Sequence, residues 1–247
     1  MTIRDSLVLG PLVTLLVLTF AGSARAQNES RFTVDFGVGI DIGVNGNVNS
    51  GAIGTLQGQA TAILPNSYGS VYGTGIDLRI GGGYSLDHQS ELRAGLTFQS
   101  ADADLVRLGD LGPSSLYAQY SAYQSLALDV GYRRYMPLEK RDFRVYGEGT
   151  IGLGFIDAID AQLVAPQSNL VLDSTDFYDQ TAAFTWGINA GVLFRLAERI
   201  DLNAQIGLRH VSGLSEVDQL VGTGLEDINN DSGRLTVPMV VGLRVRF

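Results

Sequence analysis

Apolar and polar residues alternate with a period of two over eight stretches of the chain, the pattern of strands with one apolar and one polar face. In residues 32–42, Phe32, Val34, Phe36, Val38, Ile40 and Ile42 share one face, while Thr33, Asp35, Gly37, Gly39 and Asp41 share the other. The same division returns in residues 76–86, 91–99, 126–133, 143–155, 186–196, 200–209 and 235–247. Connections between these stretches alternate in length, short at 87–90, 137–142 and 197–199, long at about 45–73, 101–119, 157–181 and 213–232. An up-and-down meander satisfies this order without crossovers, with all long connections at one end. The predicted fold class is therefore all-β, an eight-stranded antiparallel up-and-down barrel. At a rise of about 3.3 Å and a tilt near 40°, ten residues span roughly 25 Å, the apolar band of an outer-membrane barrel.

A β-sandwich also alternates, so aromatic placement decides between the two. Phe32, Tyr84, Tyr132, Phe143, Phe194 and Phe247 lie where strands meet the short turns, and Tyr72, Tyr120, Phe155, Phe184 and Trp186 lie near the long connections. Two such groups match the interfacial girdles of a transmembrane barrel. Residues 1–26 read as a cleaved secretory signal, with Arg4, an apolar stretch over 7–20 and the small-x-small site Ala24-Arg25-Ala26. Residues 27–247 then form the barrel, and no later apolar run approaches a spanning helix.

Composition narrows the function. The net charge of −9 leaves no basic field, which argues against a nucleic-acid partner. Cysteine is absent, which excludes disulfides, thiolate metal sites and cysteine nucleophiles.

Taken together, the chain resembles the small eight-stranded outer-membrane β-barrel proteins of Gram-negative bacteria, the OmpA/OmpX type. The last strand, with Val241, Leu243, Val245 and Phe247 on one face, carries the most specific part of the likeness. The resemblance implies residence in the cell outer membrane as a monomer, contact with outer-membrane lipid and lipopolysaccharide, and recognition of Phe247 as an assembly signal by the barrel-assembly machinery. It implies a structural or surface-interaction role.

An eight-stranded barrel is narrow enough for side chains to fill. The inward positions carry acidic Asp35, Asp41, Asp77, Glu91, Asp129, Glu148 and Asp201 against basic Arg79, Arg93, Arg133, Arg144, Arg195, Arg209, Arg244 and Arg246. Near balance, with arginine as the only base, predicts a packed network of paired charges that closes the lumen. A wet, porin-like channel for small solutes is the alternative. Inward glycines leave room for these long side chains.

The long connections are acidic, with thirteen Asp and Glu against Arg107 alone, except that 45–73 is uncharged and reads as a flexible surface loop. No cofactor is predicted, but carboxylates beside anionic lipopolysaccharide would call for divalent cations. Asp227, Asn229 and Asp231 have the spacing of an oxygen-ligand loop, although Ser232 and Pro238 stand where an EF-hand needs Gly and Glu.

Catalytic chemistry has one candidate. His210 and Ser212 share a strand face, and the His-x-Ser spacing is similar to that of the lipid A 3-O-deacylase barrels. That likeness implies a hydrolytic triad completed by a Glu, for which Glu216 and Glu226 are the candidates. Gly213 departs from it, standing where the family has the Asn that helps hold the oxyanion.

Overall fold

The computed structural model describes residues 31–137, 143–168, 170–217, 222–229 and 233–247. Residues 1–26, expected to form a cleaved signal, and most of the 137–142 turn lie outside the described residues.

In chain order the strands are β1 (Phe32–Asn45), β2 (Asn47–Asn49), β3 (Ala52–Leu56), β4 (Gln59–Ile63) and β5 (Asn66–Ser67). A short helix, α1 (Tyr68–Tyr72), precedes β6 (Thr74–Ser85), β7 (Ser90–Ala101), β8 (Val106–Leu111), β9 (Ser114–Tyr120) and β10 (Tyr123–Tyr135). Then come β11 (Phe143–Ile156), β12 (Ile159–Ala165), β13 (Leu170–Asp179), β14 (Thr181–Ala197), β15 (Ile200–Val211), β16 (Ser215–Glu216) and β17 (Arg234–Arg246).

Eight of these strands close a barrel in the order β1-β17-β15-β14-β11-β10-β7-β6, every pair antiparallel. They are the eight stretches that alternation marked, in the same phase. Twelve residues or more per strand, tilted near 40°, give a wall of about 30 Å. Pro238 has no N–H to donate, and the β15–β17 pairing is interrupted between Ile206↔Met239 and Arg209↔Thr236 without changing register. Outward apolar side chains such as Val38, Ile40, Leu78, Leu128, Val130, Ile151, Ile188 and Val241 are all exposed. A continuous belt of this kind exceeds what a soluble surface presents and suits hydrocarbon.

Room inside comes from glycine. A Cβ at Gly191 would meet the Tyr146 ring, and one at Gly83 would meet the Glu91 carboxylate.

The long connections differ from expectation. The first three are largely strand. β3, β4, β8, β9, β12, β13 and β16 form one seven-stranded sheet in the order β16-β13-β12-β9-β8-β4-β3, while β2 pairs with β5. The first connection, expected to be flexible, contributes β2 to β5 and α1. One side of this cap carries Leu56, Ile63, Leu111, Leu116, Ala118, Ile159 and Tyr178 into an apolar core with Val71, Leu225 and Ile228. The apolar material in these connections buries itself, so the segments order.

Two aromatic assignments change as a result. Tyr72 and Tyr120, expected in the outer girdle, are 5% and 3% exposed and belong to the cap core. Phe155, Phe184 and Trp186 remain on the outer surface, as do Phe32, Tyr84, Tyr132 and Phe194 at the short-turn end. Arg195, expected in the lumen, is exposed at the rim, and Asp201 instead meets Arg246 at 3.2 Å.

Candidate functional site

The lumen residues assemble in tiers along the barrel axis. At the short-turn end, both oxygens of Glu91 are used. Its Oε1 accepts from Thr33 Oγ1 (3.0 Å) and Arg93 Nη1 (3.4 Å), and its Oε2 accepts from the Tyr135 hydroxyl (2.5 Å) and Arg244 Nη2 (2.6 Å). Arg244 also donates to the Tyr135 hydroxyl. Arg93 reaches on to Asp35 (2.5 Å) and to Glu148 (3.5 Å), and Glu148 accepts from Arg133 Nε at 2.7 Å. Arg133 lies 3.8 Å over the Tyr146 ring, and Arg144 lies 3.7 Å over Tyr135 while donating to the His88 carbonyl at 3.0 Å. Charged groups buried this deeply are tolerated because each has a partner of opposite sign or an aromatic face.

Farther along, Asp77 takes a two-pronged contact from Arg79 (3.1 and 2.7 Å), with Arg209 at 3.7 Å. Asp129 accepts from Thr185 Oγ1 at 3.1 Å. A polar cavity of about 80 Å³ lies between these tiers, bordered by Asp35, Arg79, Arg93, Asp129, Glu148 and Arg209. It has room for a few water molecules.

At the cap end, Arg234 meets Asp41 (3.1 Å) and Gln99 Oε1 (3.2 Å), and Gln99 Nε2 donates to Asp41 (2.5 Å). The guanidinium stacks on Tyr123 at 3.9 Å. Tyr68 and Tyr72 of α1 pack edge-on against Tyr123, and burial pushes both phenols far above the usual tyrosine range. Ser67 caps α1 by accepting from Ser70 N at 3.2 Å.

Of the predicted lumen residues, Arg195 lies outside, Asp201 and Arg246 pair beside the 197–199 turn, and the others join the interior. Three side chains outside the predicted charged set join them: Arg234, Tyr135 and Gln99. Arg234 and Tyr135 continue the inward parity just beyond the segments assigned as strand, and Gln99 was inward but uncharged.

The candidate triad is not drawn together by hydrogen bonds. His210 stacks on Trp186, its cross-strand neighbour, with ring centroids 5.5 Å apart. The Ser212 hydroxyl accepts from Phe184 N at 3.0 Å. The Glu226 carboxylate accepts from Gly222 N at 2.6 Å, and the amides of its own loop hold the carboxyl below the usual range. Glu216 pairs in register with Tyr178 at the edge of the cap. Of the candidate cation ligands, Asp227 is exposed, and Asn229 is buried with Nδ2 donating to the Phe177 carbonyl (2.8 Å) and the Val217 carbonyl (3.2 Å). Asp231 lies outside the described residues. Phe247 donates its backbone N–H to the Phe32 carbonyl at 3.0 Å, which joins the end of the last strand to the first.

A closed antiparallel meander with an apolar exterior and a charged interior defines a transmembrane β-barrel. The chain belongs to the outer membrane protein beta-barrel domain family, which it matches over residues 12–237, and it resides in the outer membrane. Among solved structures it is similar to Neisserial surface protein A, at 12% identity and a TM-score of 0.47 over 90% of this chain and 100% of that one. It is also similar to a major outer membrane protein from Thermus thermophilus, at 15% identity and a TM-score of 0.46 over 87% and 99%. The N-terminal β-barrel domain of Pseudomonas aeruginosa OprF is similar at 12% identity and a TM-score of 0.38, over 88% and 99%. No curated protein matches the sequence.

Proposed function

We propose that this is a surface protein whose barrel is a closed anchor and whose working part is the cap, which faces outward from the cell. The observation that carries the reading is the Glu91 cluster. Thr33, Arg93, Tyr135 and Arg244, from four different strands, converge on one carboxylate and fill the lumen at the short-turn end. At the other end Arg234, Asp41, Gln99 and Tyr123 occupy the lumen beneath the tyrosines of α1. The cavity between them, about 80 Å³, is sized for water. A cap held by its own sheet and core offers a fixed surface, the property a recognition element needs.

Planar-bilayer recording of the purified full chain tests this reading. The expected result is no steady conductance. Stable channels would overturn it.

A further inference from the structure

The cap sheet has one face against its core and one face open. On the open face Val164 stands opposite Tyr117 on one side and opposite Val171 on the other, a cross-strand row running over β9, β12 and β13. Val171 is 58% exposed. Four residues along β12 from Val164, past a register shift, Asp160 stands directly opposite Asp176. Like charges placed so are destabilising, and among the described residues no ion pair offsets them. Arg107 is the only basic residue of the four long connections, and it is held by Asp110 at 2.6 Å.

The edges of the sheet are poor docking sites by comparison. At one edge Thr55 N of β3 already donates to the Thr223 carbonyl at 2.7 Å, and at the other β16 is two residues long. Short or covered edges resist strand addition. Recognition is left to the face.

Resting on the reading of the cap as an outward surface, we propose that this face docks a cationic amphipathic polypeptide segment. Its apolar side chains lie on the Tyr117–Val164–Val171 row, and its Lys or Arg side chains reach Asp160 and Asp176. Charge complementarity selects this partner. An anionic chain would be repelled by the thirteen acidic residues of the connections, and a purely polar cation would leave the apolar row uncovered.

The test uses the full chain in detergent micelles and fluorescence anisotropy with a labelled synthetic peptide alternating Leu and Lys. Control peptides alternate Ser with Lys and Leu with Glu. The Leu/Lys peptide should bind best and lose affinity as ionic strength rises. Val171→Lys, which sets a like charge in the docking row, should weaken it about tenfold or more, and the near-isosteric Asp176→Asn about threefold. Resistance of the cap to chymotrypsin, for which neither substitution creates a new cleavage site, checks that both variants fold. Equal binding of the Ser/Lys peptide, or indifference to both substitutions, would reduce the attraction to diffuse charge and overturn the proposal. Conductance recorded on the same preparation separates the two readings. A conducting barrel that still binds through this row removes only the closed lumen, whereas a silent barrel without row-dependent binding removes only the docking face.

Discussion

Arg244 and Glu91, 153 residues apart in sequence, meet at 2.6 Å inside the barrel although their strands are not neighbours. β1 and β6 lie between β17 and β7, so the pair spans the lumen rather than running along the wall.

That geometry makes the pair sensitive to losing one partner. Glu91→Gln leaves Arg244 buried without its counter-charge and should destabilise the barrel by about 3–5 kcal/mol. Urea unfolding in detergent micelles measures this. The double variant Glu91→Gln, Arg244→Met removes the stranded charge as well and should be less destabilised than the sum of the singles. Strict additivity would show that the two side chains are not coupled.

Tyr120 tests the cap. Its ring packs edge-on against Phe177, with centroids 5.4 Å apart, and its hydroxyl donates to Asn49 Oδ1 at 3.1 Å. Tyr120→Ala should cost about 3–5 kcal/mol, confined to the cap. Limited proteolysis should then cut within 45–73 and 157–181 while the barrel keeps its heat-modifiable gel mobility. Tyr120→Phe removes only the hydrogen bond and should cost about 1 kcal/mol. Unchanged protease resistance in Tyr120→Ala would return Tyr120 to the girdle.

Ser212 bears on hydrolysis. Its hydroxyl is engaged by the main chain of Phe184 rather than by His210. Lipid A from expressing cells should show an unchanged acyl pattern by mass spectrometry, and Ser212→Ala should cost about 1 kcal/mol of stability through the lost side-chain bond. Loss of an acyl chain with the natural sequence but not with Ser212→Ala would reverse the expectation.

The barrel was legible because each of its strands is long and must present one face to lipid and the other to a charged interior, so alternation is enforced at nearly every position. The cap obeys the same period more briefly. Leu116, Ala118 and Tyr120 alternate with Ser115, Tyr117 and Gln119, and Ile159, Ala161 and Leu163 alternate with Asp160 and Gln162. Strands of five to seven residues interrupted by Gly and acidic side chains carry a signal that acidity and length together conceal. Which carboxylate meets which guanidinium was not legible at all. Alternation gives the face, but partners such as Asp41 and Arg234 are fixed by register and by how the barrel closes.

The order of the cap strands also has a consequence in time. β4 pairs with β8, β9 with β12, and β13 with β16, so each long connection is hydrogen-bonded to the next. None of these three joints can form until two successive hairpins have delivered their tips to the same side of the bilayer. The cap therefore dates the molecule. An antibody that required Tyr117, Val164 and Val171 in one row would ignore chains whose second and third connections had not both arrived, which makes this surface a clock for the middle step of barrel biogenesis.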